Sequence, residues 1–70
     1  MRVNPKPEII FAIRFKQGLS VSTLSVMAGV GETTIRRLES DRNHCPSPEI
    51  AKRLCNALKV DFDDIFAIEK

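Results

Sequence analysis

The sequence predicts an all-α domain, a compact bundle of five short helices. Three observations carry that expectation. Apolar residues recur three and four positions apart, the spacing of one helical face. Residues that start and stop helices flank each apolar run: Ser20, Ser47 and Asp61 before, Gly18 and Gly29 after. The chain has 70 residues, 43% hydrophobic and 29% charged, which suits one globular domain with one small core.

The elements follow in order. Residues 1–6 form an N-terminal arm. Pro5 and Pro7 fit only a first helical turn or the segment before it, because proline lacks an amide donor. Asn4 is the candidate cap. The run "PEIIFAIRFKQ" is the first helix, with Ile9, Ile10 and Ile13 on one face. Gly18 ends it in a left-handed conformation, and Leu19 follows as a core anchor. Ser20 caps the second helix, "VSTLSVMA", where Leu24 and Ala28 lie four apart. Gly29 permits the turn and Val30 plugs the core. Gly31 caps the third helix, Glu32 to Ser40, and Glu32 suits its positive N-terminal end. Ile35 and Leu38 are its buried face. The loop "DRNHCPS" leads to Ser47, Pro48 and Glu49, which open the fourth helix. Ile50, Leu54, Ala57 and Leu58 recur along it, and Cys55 is read as a small buried residue. Asp61 caps a last helix, "FDDIF", with Asp64 at the capping-box position. Residues 67–70 form a short, frayed tail.

Composition narrows function. The net charge of +2 permits nucleic acid without demanding it. Its distribution is uneven: Arg36, Arg37 and Arg42 lie together, while Asp61, Asp63, Asp64 and Glu69 gather near the C-terminal end. No apolar run is long enough to span a membrane, and the opening residues lack a signal-peptide apolar region, so a cytoplasmic protein with reduced thiols is expected. His44, Cys45 and Cys55 are too few for a four-ligand zinc site without a carboxylate, and no metal is expected. No cofactor or enzymatic activity is expected either. The sequence has no phosphate-cradling glycine loop and no positioned nucleophile, since His44 and Cys45 are adjacent and would not point at one reacting atom.

The third helix is more informative. Thr33, Thr34, Arg36 and Arg37 fall largely off the face of Ile35 and Leu38. Hydroxyls and guanidinium forks can hydrogen-bond bases and phosphates. Two short helices joined by "AGVG" carry the helix-turn-helix pattern: a small residue in Ala28, a turn glycine in Gly29, an apolar residue in Val30. With "GLS", "AGV", "TI", "RLE", "PSPE", "AL" and "DDIF" in order over about residues 8–66, the chain resembles the XRE-like family of transcriptional regulators, the Cro and lambda-repressor type.

That resemblance implies a single helix-turn-helix DNA-binding domain over residues 1–70. It implies that the second helix lies across the DNA backbone and the third enters the major groove. Glu32, Thr33 and Arg37 match positions that face base edges. Thr34, Arg36 and Arg42 match positions that meet phosphates or base edges. Ser20 and Val21 match the phosphate-facing start of the second helix. Arg14 and Glu39 match positions that form an ion pair beneath the motif. The chain departs from the family pattern in three places: Val21 where glutamine is common, and Asp41 and Lys59 where glycine is common. Asp41 is expected to take the left-handed conformation. The implied function is a small repressor or activator of the phage or mobile-element type. The alternatives are an antitoxin that represses its own operon, or an interaction module that lost DNA readout. The partner is double-stranded DNA with a palindromic operator.

Phe11 and Phe15 share a helix face away from Ile9, Ile10 and Ile13. Such an aromatic patch asks for a cover. Phe66 and Ile68 folding back would supply one. A second subunit would supply the other, giving a homodimer whose reading helices lie about 34 Å apart.

Overall fold

The computed structural model describes residues 2–69. Its order is β1 (Arg2–Pro5), α1 (Pro7–Lys16), α2 (Val21–Ala28), α3 (Glu32–Leu38), α4 (Pro48–Leu58), α5 (Phe62–Ile65) and β2 (Phe66–Glu69). Five helices are present as expected, but the all-α expectation is corrected by a small sheet. β1 and β2 pair antiparallel, Arg2 with Glu69, Val3 with Ile68, Asn4 with Ala67 and Pro5 with Phe66.

The ribbon has a physical cause. Strand side chains alternate between faces, so Val3, Pro5, Phe66 and Ile68 share one face. Pro5 and Phe66 are buried, and the Phe66 ring lies 5.3 Å from that of Phe62. A lone two-stranded ribbon is marginal in water; here its inner face is anchored to the helical core. The Lys6 amide adds a hydrogen bond to the Ile65 carbonyl at 2.9 Å. Residues 67–69 are therefore a strand rather than a frayed tail, and residues 2–5 are its partner rather than a free arm. Met1 and Lys70 lie outside the described residues.

The core gathers Ile10, Leu24, Val30, Ile35, Leu38, Leu54, Leu58, Ile65 and Phe66 from all five helices, the helix-turn-helix turn and β2. Ala28, Ala51 and Cys55 complete it, so Cys55 is the small buried residue expected. Burial raises the Cys55 thiol pKa, and the negative charges of Asp64 and Asp61 raise it further.

Several local expectations are met. Ser20 and Ser47 accept hydrogen bonds from the Thr23 and Ile50 amides, capping α2 and α4. Asp61 and Asp64 form a capping box on α5. Gly18 and Gly29 have φ of 70° and 68°.

Others are corrected. Asn4 does not cap α1; it sits in β1, where its Nδ2 donates to Glu69 Oε2 at 2.6 Å. Lys6 holds the cap position without a side-chain bond. Ile9 is 42% exposed. The buried residues of α1 are Pro7 and Ile10, with Ile13 packed partly against the core, and Ile9 lies about 100° around from Ile10. Asp41 is not left-handed, since Lys59 is the one non-glycine with positive φ among the described residues. Asp41 shapes its loop differently: its Oδ1 accepts from the Asn43 amide at 2.9 Å. α3 stops at Leu38 rather than Ser40, and α5 at Ile65, because Phe66 is already extended.

Candidate functional site

The turn between α2 and α3 is held from three directions. The Ser25 carbonyl accepts from the Gly29 and Val30 amides at 2.9 and 3.2 Å. The Ser25 hydroxyl donates to the Val30 carbonyl at 2.6 Å. From α4, Arg53 Nη1 donates to the Gly29 carbonyl at 3.1 Å, while its Nη2 pairs with Glu49 at 2.6 Å. Val30 is buried beneath. A fourth contact crosses between the helices, where Ser22 Oγ donates to Glu32 Oε2 at 3.1 Å. Ser25 and Arg53 were not among the expected site residues. Their only local signals are a hydroxyl four residues before the turn glycine and the Glu49–Arg53 spacing of four.

Behind α3, Arg14 grips Glu39. Its Nε and Nη2 donate to the two carboxylate oxygens at 2.7 and 2.8 Å, and its Nη1 donates to the Leu19 carbonyl at 2.9 Å. Both side chains are only about a tenth exposed, 11% and 9%. The hydrogen bonds to Glu39 raise the Arg14 pKa, against the lowering effect of burial. The guanidinium also lies 5.3 Å from the centre of the Phe11 ring. One side chain thus joins α1, the α1–α2 connection and the end of α3.

The outward face of α3 is different. Ile35 and Leu38 are fully buried. Thr33 and Arg37 are exposed, about 40° apart around the helix and opposite Ile35. Neither side chain has a hydrogen-bond or ion-pair partner among the described residues. Arg36 pairs with Glu32 one turn earlier at 3.6 Å, both exposed. Thr34 is half-buried. At the start of α2, Ser20, Ser22 and Thr23 are exposed, whereas Val21 packs against the core.

Arg42 stands apart, in the loop after α3, where it pairs with Glu8 of α1. The neighbouring Asn43 carbonyl accepts from Arg2 of β1. This loop is tethered to the N-terminal segment.

Phe11 and Phe15 stack with ring centres 5.8 Å apart, and remain 48% and 70% exposed. Among the described residues, the C-terminal segment does not cover them. Phe66 points into the core, and Ile68 lines an apolar cavity beside α4. Among the described residues no cluster of His, Cys, Asp and Glu could hold a metal ion, and no helix is long and apolar enough to cross a membrane.

Comparison with known proteins agrees with this geometry. A family model described as helix-turn-helix matches residues 10–65. Two relatives come from Bacillus subtilis. The uncharacterized HTH-type transcriptional regulator RghRB is 28% identical over 93% of this chain and 47% of its own length. The HTH-type transcriptional repressor RghR is 31% identical over 83% of this chain and 43% of its own. The chain therefore spans about half the length of these relatives. Among solved structures, the restriction-modification controller protein C.AhdI from Aeromonas hydrophila superposes with a TM-score of 0.73, 21% identity, and coverage of 83% of this chain and 86% of that one. SinR, the master regulator for biofilm formation, solved in complex with DNA, gives 0.74, 24%, 81% and 90%. Both likenesses speak to fold. The chain belongs to the XRE-like helix-turn-helix family.

Proposed function

We propose that this helix-turn-helix protein is a sequence-specific DNA-binding transcriptional regulator, a small repressor or activator of the phage or mobile-element type acting in the cytoplasm. One observation carries the reading. α3 is pinned from behind by Arg14 and Glu39, while Thr33 and Arg37 point outward with their donors uncommitted. A rigid helix with free hydrogen-bonding side chains on its outer face suits major-groove readout. Among the solved structures it resembles, SinR was captured with DNA.

In this reading Arg37 takes a guanine edge bidentately, and Thr33 meets a thymine methyl or a phosphate. Glu32 accepts from a cytosine amine or orients Arg36. Thr34 and Arg36 meet the backbone at the groove edge. The exposed Ser20 hydroxyl and the first amides of α2, beginning with Val21, face a phosphate. Arg42 reaches a phosphate only by leaving Glu8, a small cost for an exposed pair.

A homodimer on a palindromic operator completes the proposal. The stacked Phe11 and Phe15 are its interface, because the tail leaves them open.

The test is selection of bound fragments from random DNA, followed by titration at several salt concentrations. Enrichment of a palindrome, with affinity falling steeply in salt, is expected. Binding that is equal for selected and random DNA would reject sequence-specific readout. Sedimentation of the wild type beside a Phe11→Ser, Phe15→Ser double variant tests the interface. A folded, monomeric variant with weakened operator binding is expected. A wild type that stays monomeric both free and on DNA would reject the dimer.

A further inference from the structure

The outward face of α1 carries more than its two aromatic rings. Glu8, Ile9, Phe11, Phe15 and Lys16 are exposed on it, and Ala12 is half-buried. Around the helix, Glu8 and Lys16 fall about 40° to either side of Ala12, and Ile9 and Phe15 about 60° to either side. Along the helix, Glu8 and Lys16 lie about 6 Å from Ala12 in opposite directions, and Ile9 and Phe15 about 4.5 Å. The face is therefore balanced about Ala12, with acid set against base and apolar against apolar.

Both charges have capacity left. Glu8 Oε1 pairs with Arg42, while its Oε2 accepts no hydrogen bond among the described residues. Lys16 has no carboxylate partner among them. A second copy laid parallel on this face would set Glu8 against the partner's Glu8 and Lys16 against the partner's Lys16. A copy laid antiparallel and centred on Ala12 sets Glu8 against the partner's Lys16 and Ile9 against the partner's Phe15, each twice by symmetry. Ala12, the smallest side chain on the face, then stands at the crossing, where helix axes approach to about 8–10 Å.

We infer that α1 packs antiparallel against α1 of a second copy, with the two-fold axis passing between the two Ala12 residues. The inference rests on the homodimer reading and gives it an orientation. Phe11, Phe15 and Ile9 supply the apolar area. Glu8 and Lys16 select the antiparallel arrangement and oppose the parallel one. Inward from the interface, the Arg14 guanidinium lies over the Phe11 ring and grips Glu39. The interface is thus one side chain removed from the clamp behind α3. A single pair of ten-residue helices is a small contact, so self-association should be weak without DNA.

Sedimentation equilibrium at low ionic strength, where exposed pairs are least screened, tests the arrangement with charge reversals. Glu8→Lys alone and Lys16→Glu alone should each weaken self-association about tenfold, because symmetry places every like-charge contact twice. An equimolar mixture of the two variants should dimerise within about threefold of the wild type, because each reversed charge then meets the other. Only the antiparallel pairing predicts that rescue on mixing. Ala12→Cys, in a Cys45→Ser background, should cross-link to its own copy on mild oxidation, since position 12 lies on the axis. Circular dichroism melting establishes that each variant is folded. If the wild type dimerises but mixing restores nothing, or position 12 does not cross-link, the antiparallel arrangement is overturned and the homodimer itself stands. A wild type that stays monomeric both free and on DNA removes both.

Discussion

The back and front of α3 present two arginines in opposite conditions. Arg14 reaches the back, where its fork is satisfied by Glu39 and the Leu19 carbonyl. Arg37, on the front, meets solvent with its donors free. The residue type is the same, and the surroundings decide the role. A satisfied, nearly buried guanidinium holds one structure; an unsatisfied, exposed one offers five donors to a partner. The turn resembles the back, since its carbonyls are held by Ser25 and Arg53. The molecule thus fixes α3 on every side except the one that carries Thr33 and Arg37.

The largest effect should come from breaking the held side. Arg14→Ala strands the Glu39 carboxylate at 9% exposure. It should destabilise the fold by about 3 kcal/mol, the low end for buried pairs because some exposure remains. Arg14→Met with Glu39→Leu removes both charges and should recover most of that loss. Urea unfolding of the two singles and the double variant checks the cycle. Additive losses would show that the two side chains do not depend on each other.

Breaking the free side should leave stability alone and change recognition. Arg37→Ala should lose ~1–3 kcal/mol on the selected site and relax preference at one base pair. Its melting temperature should match the wild type. Equal losses on selected and random DNA would reduce Arg37 to a phosphate contact. Arg42→Ala, which frees Glu8, should weaken all sequences alike and flatten the salt slope.

What the sequence makes legible follows the same division between local and distant contacts. Caps are local. Ser20, Ser47, Asp61 with Asp64, Gly18 and Gly29 act on amides or dihedrals within a few residues, so their chemistry is readable in place. The outward position of Thr33 and Arg37 follows from helical period alone. The ribbon does not, because it joins four-residue segments from the two ends, Arg2 opposite Glu69. Its alternation, Val3 with Pro5 and Phe66 with Ile68, is too short to register as a strand. Arg53 is hidden for a related reason: its partner is a carbonyl in a different element. Ile9 and Asp41 show the limit of position-by-position inference. A neighbouring apolar residue can fall at the edge of the buried stripe, and an aspartate can shape a loop by accepting a hydrogen bond instead of adopting positive φ.

A smaller effect sharpens the account of the turn. A methyl group on Gly29 would lie 3.0 Å from Arg53 Nη1, on a backbone with φ of 68°. Gly29→Ala should therefore destabilise by about 1–2 kcal/mol from the left-handed strain alone. Arg53 must also shift. In an Arg53→Ala background the same change should lose less, because the crowding is gone while the strain remains. Denaturation midpoints of the four proteins measure this. Identical losses in both backgrounds would mean that the arginine yields freely.

The smallest change should have the opposite sign. α2 and α4 both end in left-handed residues, but α4 ends in Lys59, with φ of 59°. A lysine pays the Cβ penalty that Gly29 avoids. Lys59→Gly removes that strain, and the freer unfolded chain takes back part of the gain. The net should be about 0.5 kcal/mol of stabilisation, which raises the melting temperature of a domain this size by roughly 2–4 °C. Lys59→Ala is the control: it removes the long side chain and keeps the Cβ. If strain is the cause, alanine should not raise the melting temperature. Equal gains from alanine and glycine would assign the effect to the lysine side chain, leaving the two left-handed helix ends equivalent.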